Sequence, residues 1–352
     1  MDSKNKKVVI GLSGGVDSSV SLLLLKEWGY EPIGVFFRYS NLKCENNKSS
    51  ELAKKVCWEL KVPYYVIDER INFEKKVIAY FISFLKDKKT PNPCLICNRL
   101  LKFNKLFQFA KERDIKYVAT GHYAKVRKNK KTGFYELLKA KDKEKDQSYF
   151  LCFLKQNQLK KIIFPLGDYT KKEVYKLAKK NNFNFFNGLK QSQNLCFIDN
   201  KLIKSYLEKE IGLEPGNIID DKENILGKHQ GLHFYTIGQR KGINLPNGPW
   251  WVSQFDRKKN QLIVVNKENH PVLFKKKIIV SEYNFISGIT PKKMIKVKVK
   301  TRFQQKSNLS KLYLKENNTL EIIFNKPQKA VASGQWAVFY KDNICLGGGI
   351  IE

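Results

Sequence analysis

The 352-residue sequence has no long hydrophobic run. Its longest apolar stretches, such as Leu22–Leu25, fall far short of the roughly 18 residues that a membrane-spanning helix needs. The first residues, MDSKNKKVVIGL, lack the apolar segment and cleavage site of a secretory signal. The seven cysteines are odd in number, and a chain of this length does not need disulfides. These absences predict a cytoplasmic protein that uses some of its cysteines for chemistry and has no membrane partner.

Arginine is scarce relative to lysine, because it supplies only 8 of the 66 basic residues. With 33 acidic residues the formal net charge is +33. Such an excess indicates either a polyanionic partner or the lysine-rich composition that an AT-rich genome produces. The charge is uneven, at +20 over residues 1–200, +3 over 201–270 and +10 over 271–352. A uniform compositional bias would distribute the positive charge more evenly along the chain, so we expect a nucleic acid to contact both ends of the chain.

Strand and helix patterns alternate through the first 200 residues. Lys7–Leu12 is a short β-branched run that predicts a buried strand, and a leucine-rich helix follows it. Further strands are predicted at Pro32–Phe37, Tyr64–Ile67 and Tyr117–Thr120, with helices between them. A hairpin is predicted over Tyr123–Ala140. Strands that alternate with helices predict an α/β fold with a doubly wound parallel sheet.

The pattern changes after residue 200. One short helix is predicted at Lys201–Ile211, and segments punctuated by glycine and proline follow it. From Lys277 onward the strand-like runs KKIIV, KVKVKTRF, TLEIIF, QWAVFY and CLGGGII lie close together. Such spacing, without helices, predicts a small antiparallel barrel. We therefore predict a catalytic domain over 1–200, a small central domain over 201–271 and a C-terminal antiparallel β-barrel over 272–352.

A glycine loop, GLSGGVDSS at Gly11–Ser19, follows the first predicted strand. It stands where parallel-sheet proteins bind nucleotides. Gly14 and Gly15 let the backbone approach a phosphate, loop amides and serine hydroxyls donate to it, and Asp17 is placed to hold a magnesium ion. The loop has neither the GxGxxG pattern nor the lysine that follows the glycines in kinases and GTPases. It resembles the PP-loop of ATP pyrophosphatases, which cleave ATP between the α and β phosphates to adenylate a substrate.

Three cysteines stand in unusual surroundings. Cys94 and Cys97 form a CxxC within TPNPCLICN, and Cys196 lies in QSQNLCFI. A four-cysteine zinc site would need a second CxxC. A thioredoxin-like pair would begin a helix directly after a strand, whereas this pair follows prolines. We therefore expect Cys97 and Cys196 to carry chemistry. The other cysteines are expected to pack as small buried hydrophobic residues: Cys44, Cys57, Cys152 and Cys345.

Eight motifs occur in a fixed order along the chain. They are SGGVDSS, TPNPCxxCN, the turn Gly121-His122-Tyr123, KDQSYFL at Lys145–Leu151, LCFI at Leu195–Ile198, HQGLHFYTIGQRKG at His229–Gly242, TRF at Thr301–Phe303 and SGQWAVFY at Ser333–Tyr340. Through them the chain resembles the bacterial tRNA-specific 2-thiouridylases along almost its whole length. The resemblance implies ATP-dependent transfer of sulfur to C2 of the wobble uridine of tRNA, with AMP and pyrophosphate as the other products.

The resemblance also implies roles for individual residues. Cys97 would be the nucleophile and Cys196 would carry a persulfide. The implied ATP-binding residues are Gly11, Leu12, Ser13, Gly14, Gly15, Val16, Asp17, Ser18, Phe37 and Gly121. The residues implied to contact tRNA or its target base are Asn92, Pro93, Cys94, His122, Lys145, Asp146, Gln147, Arg302, Phe303 and Gln335. The implied cofactors are ATP and Mg²⁺, and the implied partners are tRNA and a persulfide-relay protein, with no DNA.

Several alternatives stay open. Cys94, Cys97 and Cys196 together could supply three thiolates to an iron–sulfur cluster with one open iron, which would hold the incoming sulfide in place of a persulfide. Another PP-loop enzyme, such as an amidotransferase-type synthetase or lysidine synthetase, would not need the paired cysteines. A nucleotide-sensing RNA-binding protein would hold ATP without cleaving it. His229, His233 and His270 have no acidic partner at metal-ligand spacing, and each is expected at the surface or facing RNA.

Overall fold

The structure, a computed structural model, describes residues 6–39, 45–186, 195–199 and 201–352, with the backbone alone for 45–47. Cys44 and the start of the QSQNLCFI segment therefore lie outside the described residues. Three sheets of five, four and eight strands organise the chain. Among the helices described, none combines the length and the apolar character that crossing a membrane requires.

The first sheet is built from strands that alternate with helices, as the sequence predicts. The strands up to residue 200 are β1 (Lys7–Leu12), β2 (Glu31–Arg38), β3 (Tyr64–Asp68), β4 (Tyr117–Thr120), β5 (Ala124–Lys128), β6 (Tyr135–Lys139) and β7 (Ile162–Ile163). The helices are α1 (Val16–Glu27), α2 (Glu45–Glu59), α3 (Arg70–Phe73), α4 (Ala79–Lys86), α5 (Pro93–Cys97), α6 (Phe103–Lys111), α7 (Gln156–Leu159) and α8 (Lys171–Lys180). The sheet order is β3-β2-β1-β4-β7, and every pair in it is parallel.

The doubly wound parallel sheet is thereby confirmed. Strand β1 lies in its middle, and Val8, Val9 and Ile10 are fully buried because helices cover both faces of the sheet. The strand order changes direction between β1 and β4, so the loops after these two strands diverge at one edge. The glycine loop after β1 and the turn after β4 meet in this crevice.

The proline-rich segment before the CxxC is not helical throughout, as its sequence predicts. Helix α5 begins at Pro93, where a missing backbone N–H costs no helical hydrogen bond, and Pro91 stays outside the helix. The Asn92 side chain accepts a hydrogen bond from the Leu95 amide at 3.4 Å and so caps α5. A π-helical turn, Asn98–Lys102, then joins α5 to α6. The segment therefore presents both cysteines of the CxxC on one short helix.

The middle of the chain forms a small four-stranded unit. Its elements are α9 (Ile203–Ile211), β8 (Gly216–Ile219), β9 (Ile225–His229), β10 (Trp251–Asp256) and β11 (Gln261–Val265). The strand order is β10-β11-β8-β9. A separate buried cluster that includes Ile218, Val252 and Leu262 forms its core.

The last part of the chain is an antiparallel barrel, which confirms the predicted architecture. Its strands are β12 (Phe274–Phe285), β13 (Ile295–Lys300), β14 (Asn308–Leu314), β15 (Leu320–Lys329), β16 (Trp336–Lys341) and β17 (Ile344–Ile351). The strands follow the order β12-β15-β14-β13-β16-β17, and pairing between β12 and β17 closes the ring.

The predicted hairpin of β5 and β6 is present, but it belongs to the sheet of the barrel. Strand β6 pairs antiparallel with β17, with Leu138 opposite Ile344. The Tyr149 hydroxyl donates to the Trp336 carbonyl at 2.9 Å beside this junction. The first 200 residues and the barrel therefore share one continuous eight-stranded sheet and one buried core.

Candidate active site

The loop between β1 and α1 is held in shape by its own serine hydroxyls. The Ser13 amide donates to Ser18 Oγ at 3.1 Å, and Ser18 Oγ donates to the Gly15 carbonyl at 3.0 Å. Gly14 has a φ of +72°, and a Cβ there would lie 2.1 Å from the Ser49 carbonyl oxygen, so no other residue fits. The loop thus leads directly into the N-terminus of the 12-residue helix α1, a position in a fold that favours anions.

Asp17, in the first turn of α1, is bound by two side chains from distant parts of the chain. Lys171 Nζ lies 2.6 and 2.7 Å from the two carboxylate oxygens, and the Tyr123 hydroxyl donates to Oδ1 at 2.7 Å. Lys171 begins α8 and is 8% exposed. Neither partner was predicted as a site residue. Tyr123 belongs to the Gly121-His122-Tyr123 motif, which was the available signal, whereas nothing in the local sequence distinguishes Lys171. A magnesium ion at Asp17 would share the carboxylate with this ammonium.

The turn after β4 abuts the glycine loop directly. A Cβ on Gly121 would lie 2.8 Å from the Ser18 nitrogen and 2.9 Å from Ser18 Cα. Phe37 is near the end of β2 and is 7% exposed. The structure therefore brings Gly121, Phe37 and the loop together at the carboxyl ends of three neighbouring strands. Leu12 and Val16 are buried beside them, so these two positions offer backbone rather than side chain.

The CxxC cysteines lie in a dry environment. Burial raises the pKa of Cys97 to about 12, and it raises the pKa of Cys94 to about 12 as well. The Lys102 ammonium lowers both pKa values, and negative charge on Cys196 raises both pKa values. Cys196 itself is exposed. The three sulfurs therefore lie within electrostatic range of one another: Cys97 is buried, Cys94 is partly buried, and Cys196 is accessible from solvent.

These thiols do not form a metal-ligand set. Over the ranges that the structure describes, no three His, Cys, Asp or Glu side chains are grouped so that they could hold a metal ion. Cys94, Cys97 and Cys196 are thus not grouped as metal ligands in the described residues, and the iron–sulfur alternative stays a prediction.

Two residues predicted to contact tRNA are committed to internal hydrogen bonds. The buried Asp146 carboxylate accepts from the Ala140 amide at 3.1 Å and from the amide and hydroxyl of Ser148 at 3.2 and 3.0 Å. Gln147 Oε1 accepts from the Tyr123 amide at 3.0 Å. These contacts fix the loop that also carries Lys145.

His122 is a neutral, stacked imidazole in this structure. Its Nδ1 lies 2.8 Å from Thr120 Oγ1, and its ring stacks on Phe103 with centroids 5.9 Å apart. Burial lowers the pKa of His122 well below the ordinary value, and the Lys102 charge lowers it further. His122 can therefore act as a hydrogen-bonding surface but does not titrate near neutral pH.

Gln335 connects the barrel to the proline-rich segment that precedes helix α5. Its side-chain amide donates to the carbonyl oxygens of Thr90 and Pro91, at 3.3 and 3.4 Å. The Thr90 amide in turn donates to the Ser333 carbonyl at 2.8 Å. Gln335 thus lies beside Asn92 and Pro93, the residues expected at the target base.

Arg302 and Phe303 connect the barrel to the other two parts of the chain. The Arg302 guanidinium donates to the Ile237 carbonyl at 2.6 Å, in the middle part. The Phe303 ring lies 4.5 Å from the Phe150 ring, in the first part. Of the residues predicted for tRNA contact, these two therefore lie where the three parts of the chain meet.

The expectation that His229 and His233 lie at the surface is wrong. They are 2% and 3% exposed, and burial lowers the pKa of each imidazole. His229 Nε2 lies 3.1 Å from the Asn260 carbonyl oxygen. The polar residues of HQGLHF are typical of an exposed segment, but in the structure this segment packs into the four-stranded unit in the middle of the chain.

The fold and the loop together define a HUP-domain protein with a PP-loop. Residues 6–200 match the family description "tRNA methyl transferase HUP domain", 204–266 match "tRNA methyl transferase PRC-barrel domain", and 275–351 match "Aminomethyltransferase beta-barrel domain".

Full-length relatives narrow the class to one family. The chain is 39% identical over 358 residues to tRNA-specific 2-thiouridylase MnmA 1 of Geobacillus kaustophilus, covering 99% of this chain and 96% of that protein. It is 39% identical over 359 residues to MnmA of Clostridioides difficile, covering 99% and 98%. It is 36% identical over 359 residues to MnmA of Francisella tularensis subsp. novicida, covering 99% of each. The chain belongs to the tRNA-specific 2-thiouridylase family.

Proposed function

We propose that this protein is an ATP-dependent tRNA-uridine 2-sulfurtransferase that replaces O2 of the wobble uridine with sulfur. One observation carries the proposal: the loop that joins strand β1 to helix α1 and a pair of cysteines, one buried and one exposed, lie in the same part of a chain whose relatives are named 2-thiouridylases. An enzyme that only bound ATP would need the loop but not the thiols.

Activation of uridine comes first. A uracil C2 carbonyl is a poor electrophile and its oxygen is a poor leaving group. Attack of O2 on the α phosphate of ATP forms the adenylated base and releases pyrophosphate, and that oxygen later departs with AMP. The loop amides after β1 would bind the phosphates, and the turn at Gly121 holds the loop in place.

Asp17 fits a magnesium ion that arrives with ATP. Mg²⁺ is usually held by one or two carboxylates together with substrate phosphates, so a single acidic residue is enough. When bound, the ion would neutralise charge on the departing pyrophosphate. Lys171 sits on the same carboxylate and would hold it in position.

Sulfur delivery uses the cysteine pair. Cys196 is exposed, so a donor protein can load it with a persulfide. The terminal sulfur attacks C2 and AMP leaves. The Cys97 thiolate then attacks Cys196 Sγ, which breaks the persulfide S–S bond, leaves the sulfur on C2 and forms a Cys97–Cys196 disulfide. An external dithiol must reduce this disulfide before the next turnover. Asn92, Pro93 and Cys94 would line the base pocket.

The wobble base lies in a single-stranded loop, so it can be extracted at little cost. Arg302 and Phe303 join the barrel to the other two parts of the chain, and Gln335 lies beside the proline-rich segment. Together with Lys145 and His122, these residues would contact the tRNA around that base. The net charges of +20 over residues 1–200 and +10 over 271–352 support contact from both ends.

Unmodified tRNA transcripts, ATP and a sulfur source test the proposal, with mass spectrometry of the nucleosides as the readout. We expect 2-thiouridine from the wild type. Cys196→Ser should release pyrophosphate without thiolation. Cys97→Ser should accumulate sulfur on Cys196, as a persulfide when tRNA is left out and as a disulfide-linked tRNA adduct when tRNA and ATP are present, because nothing remains to release it. Cys57→Ala is the matched control, since Cys57 is buried in a different core cluster and should leave activity intact. An active Cys97→Ser or Cys196→Ser enzyme would rule out the relay.

A further inference from the structure

A row of five aromatic rings connects the nucleotide side of the sheet to the exposed cysteine. Phe37 stacks on Tyr39 with centroids 5.7 Å apart, and Tyr39 lies 5.1 Å from Phe73. Phe73 and Phe81 each meet the Phe197 ring edge-on at 5.6 Å. Phe197 directly follows Cys196, so this aromatic row fixes the backbone that carries the exposed thiol.

Tyr39 is the polar member of the aromatic row. Its hydroxyl oxygen is buried and has no hydrogen-bond partner among the residues that the structure describes. Burying an unpaired hydroxyl costs free energy, and phenylalanine would pack in the row equally well. Packing therefore does not account for the hydroxyl, which points to a role in chemistry.

The surroundings of the phenol indicate what it can bind, because Tyr39 packs against the buried cluster that contains Cys97. Through Phe73 it is also one ring away from Phe197, the neighbour of Cys196. Burial raises the pKa of Tyr39 well above its ordinary value, and negative charge on Cys97, Cys196 or Glu69 raises it further. The phenol therefore stays protonated and can donate. Glu69 is already paired, because Lys105 Nζ lies 2.7 Å from it and the Asn72 amide donates to it at 2.8 Å. The sulfurs remain as candidate acceptors.

We propose that the Tyr39 hydroxyl donates a hydrogen bond to the sulfur that bears negative charge during transfer, on Cys97 or on the Cys196 persulfide. The O–H bond stays intact, so Tyr39 neither supplies a proton to the thiol exchange nor takes one from it. The hydrogen bond offsets part of the cost of forming a thiolate in a buried site. The inference rests on the proposed function and gives Tyr39 no part in the ATP chemistry.

Tyr39→Phe tests this inference, because it removes only the hydroxyl. We expect unchanged or slightly higher thermal stability and unchanged pyrophosphate release with tRNA and ATP. Single-turnover sulfur transfer from persulfide-loaded protein should slow about ten- to a hundredfold, the loss typical of a charge-assisted hydrogen bond. The pH profile of thiol alkylation, followed by peptide mass spectrometry, should move to higher pH at Cys97 or Cys196.

Tyr64→Phe is the matched control. The Tyr64 hydroxyl lies on the neighbouring strand β3 and is bonded to Ser50 at 3.0 Å, so its loss should not alter thiol reactivity. Wild-type sulfur transfer with an unmoved alkylation profile in Tyr39→Phe would overturn the inference, and so would an equal slowing of pyrophosphate release. A wild-type protein that makes no 2-thiouridine would refute the proposed function, while the alkylation profile would still decide whether the hydrogen bond exists.

Discussion

Replacing Gly121 by alanine tests whether the nucleotide loop must rest against the end of β4. The added Cβ would lie 2.8 Å from the Ser18 nitrogen, whereas ordinary contacts begin near 3.4 Å. The neighbouring atom is backbone, so rotation of a side chain cannot relieve the clash. The loop or the turn must therefore move by about 0.6 Å, the difference between these two distances.

Two consequences of different size follow from this displacement. Overpacking of this kind destabilises a protein by about 1–3 kcal/mol, which lowers the Tm by roughly 2–4 °C per kcal/mol in a domain of this size. Misplacement of phosphate-binding amides has the larger effect, because errors near 1 Å can slow a reaction about a hundredfold. We expect Gly121→Ala to reduce tRNA-dependent pyrophosphate release at least about tenfold.

Gly133→Ala separates loss of stability from loss of alignment. Gly133 has a φ of +75° in the hairpin turn, and no atom lies within 4 Å of an added Cβ. Backbone strain there should cost about 1–2 kcal/mol and leave pyrophosphate release at the wild-type rate. If Gly121→Ala instead released pyrophosphate as fast as the wild type, the contact between turn and loop would have no part in ATP use.

Three further predictions concern the same chemistry. Asp17→Ala should abolish pyrophosphate release, because it removes the proposed magnesium ligand and leaves Lys171 buried without its acidic partner; wild-type release would contradict the role given to the loop. Cys94→Ala should keep substantial thiolation, since the persulfide relay needs only the other two thiols, whereas loss of activity together with loss of visible absorbance in anaerobically purified protein would favour an iron–sulfur cluster. When the salt concentration rises tenfold, the affinity for tRNA should fall by about 0.7–0.9 log units for each phosphate contact. An affinity that does not depend on salt would assign the lysine excess to composition alone.

The architecture was predictable because local patterns decide it. The buried run of β1 and the serine–glycine loop after it specify a strand, a turn and a helix within 20 residues. The strand-like runs of the barrel are closely spaced and separated by turn residues, with no helix between them, and these features suffice to predict the antiparallel class. The proline at position 93 also marks where α5 begins.

The contacts that complete the site were not predictable, because they join residues far apart in sequence. Lys171 is one of five lysines in α8, and its sequence does not distinguish it from the exposed ones. Tyr39 follows a strand in which each neighbouring aromatic residue could equally be core. The pairing of β6 with β17 depends on a partner about 200 residues away. Only the folded chain reveals which of several similar residues meets its partner.

The sheet shared by β6 and β17 sets an order of events during synthesis. Ribosomes add about 5–20 residues per second, so β17 emerges roughly 10–40 s after the hairpin that it covers. Throughout that interval the β5–β6 hairpin presents an unpaired edge, and the parallel sheet lacks the barrel side chains that complete its core. Newly made chains are thus open to wrong strand pairing for tens of seconds, and the chain completes its fold only when β17 arrives.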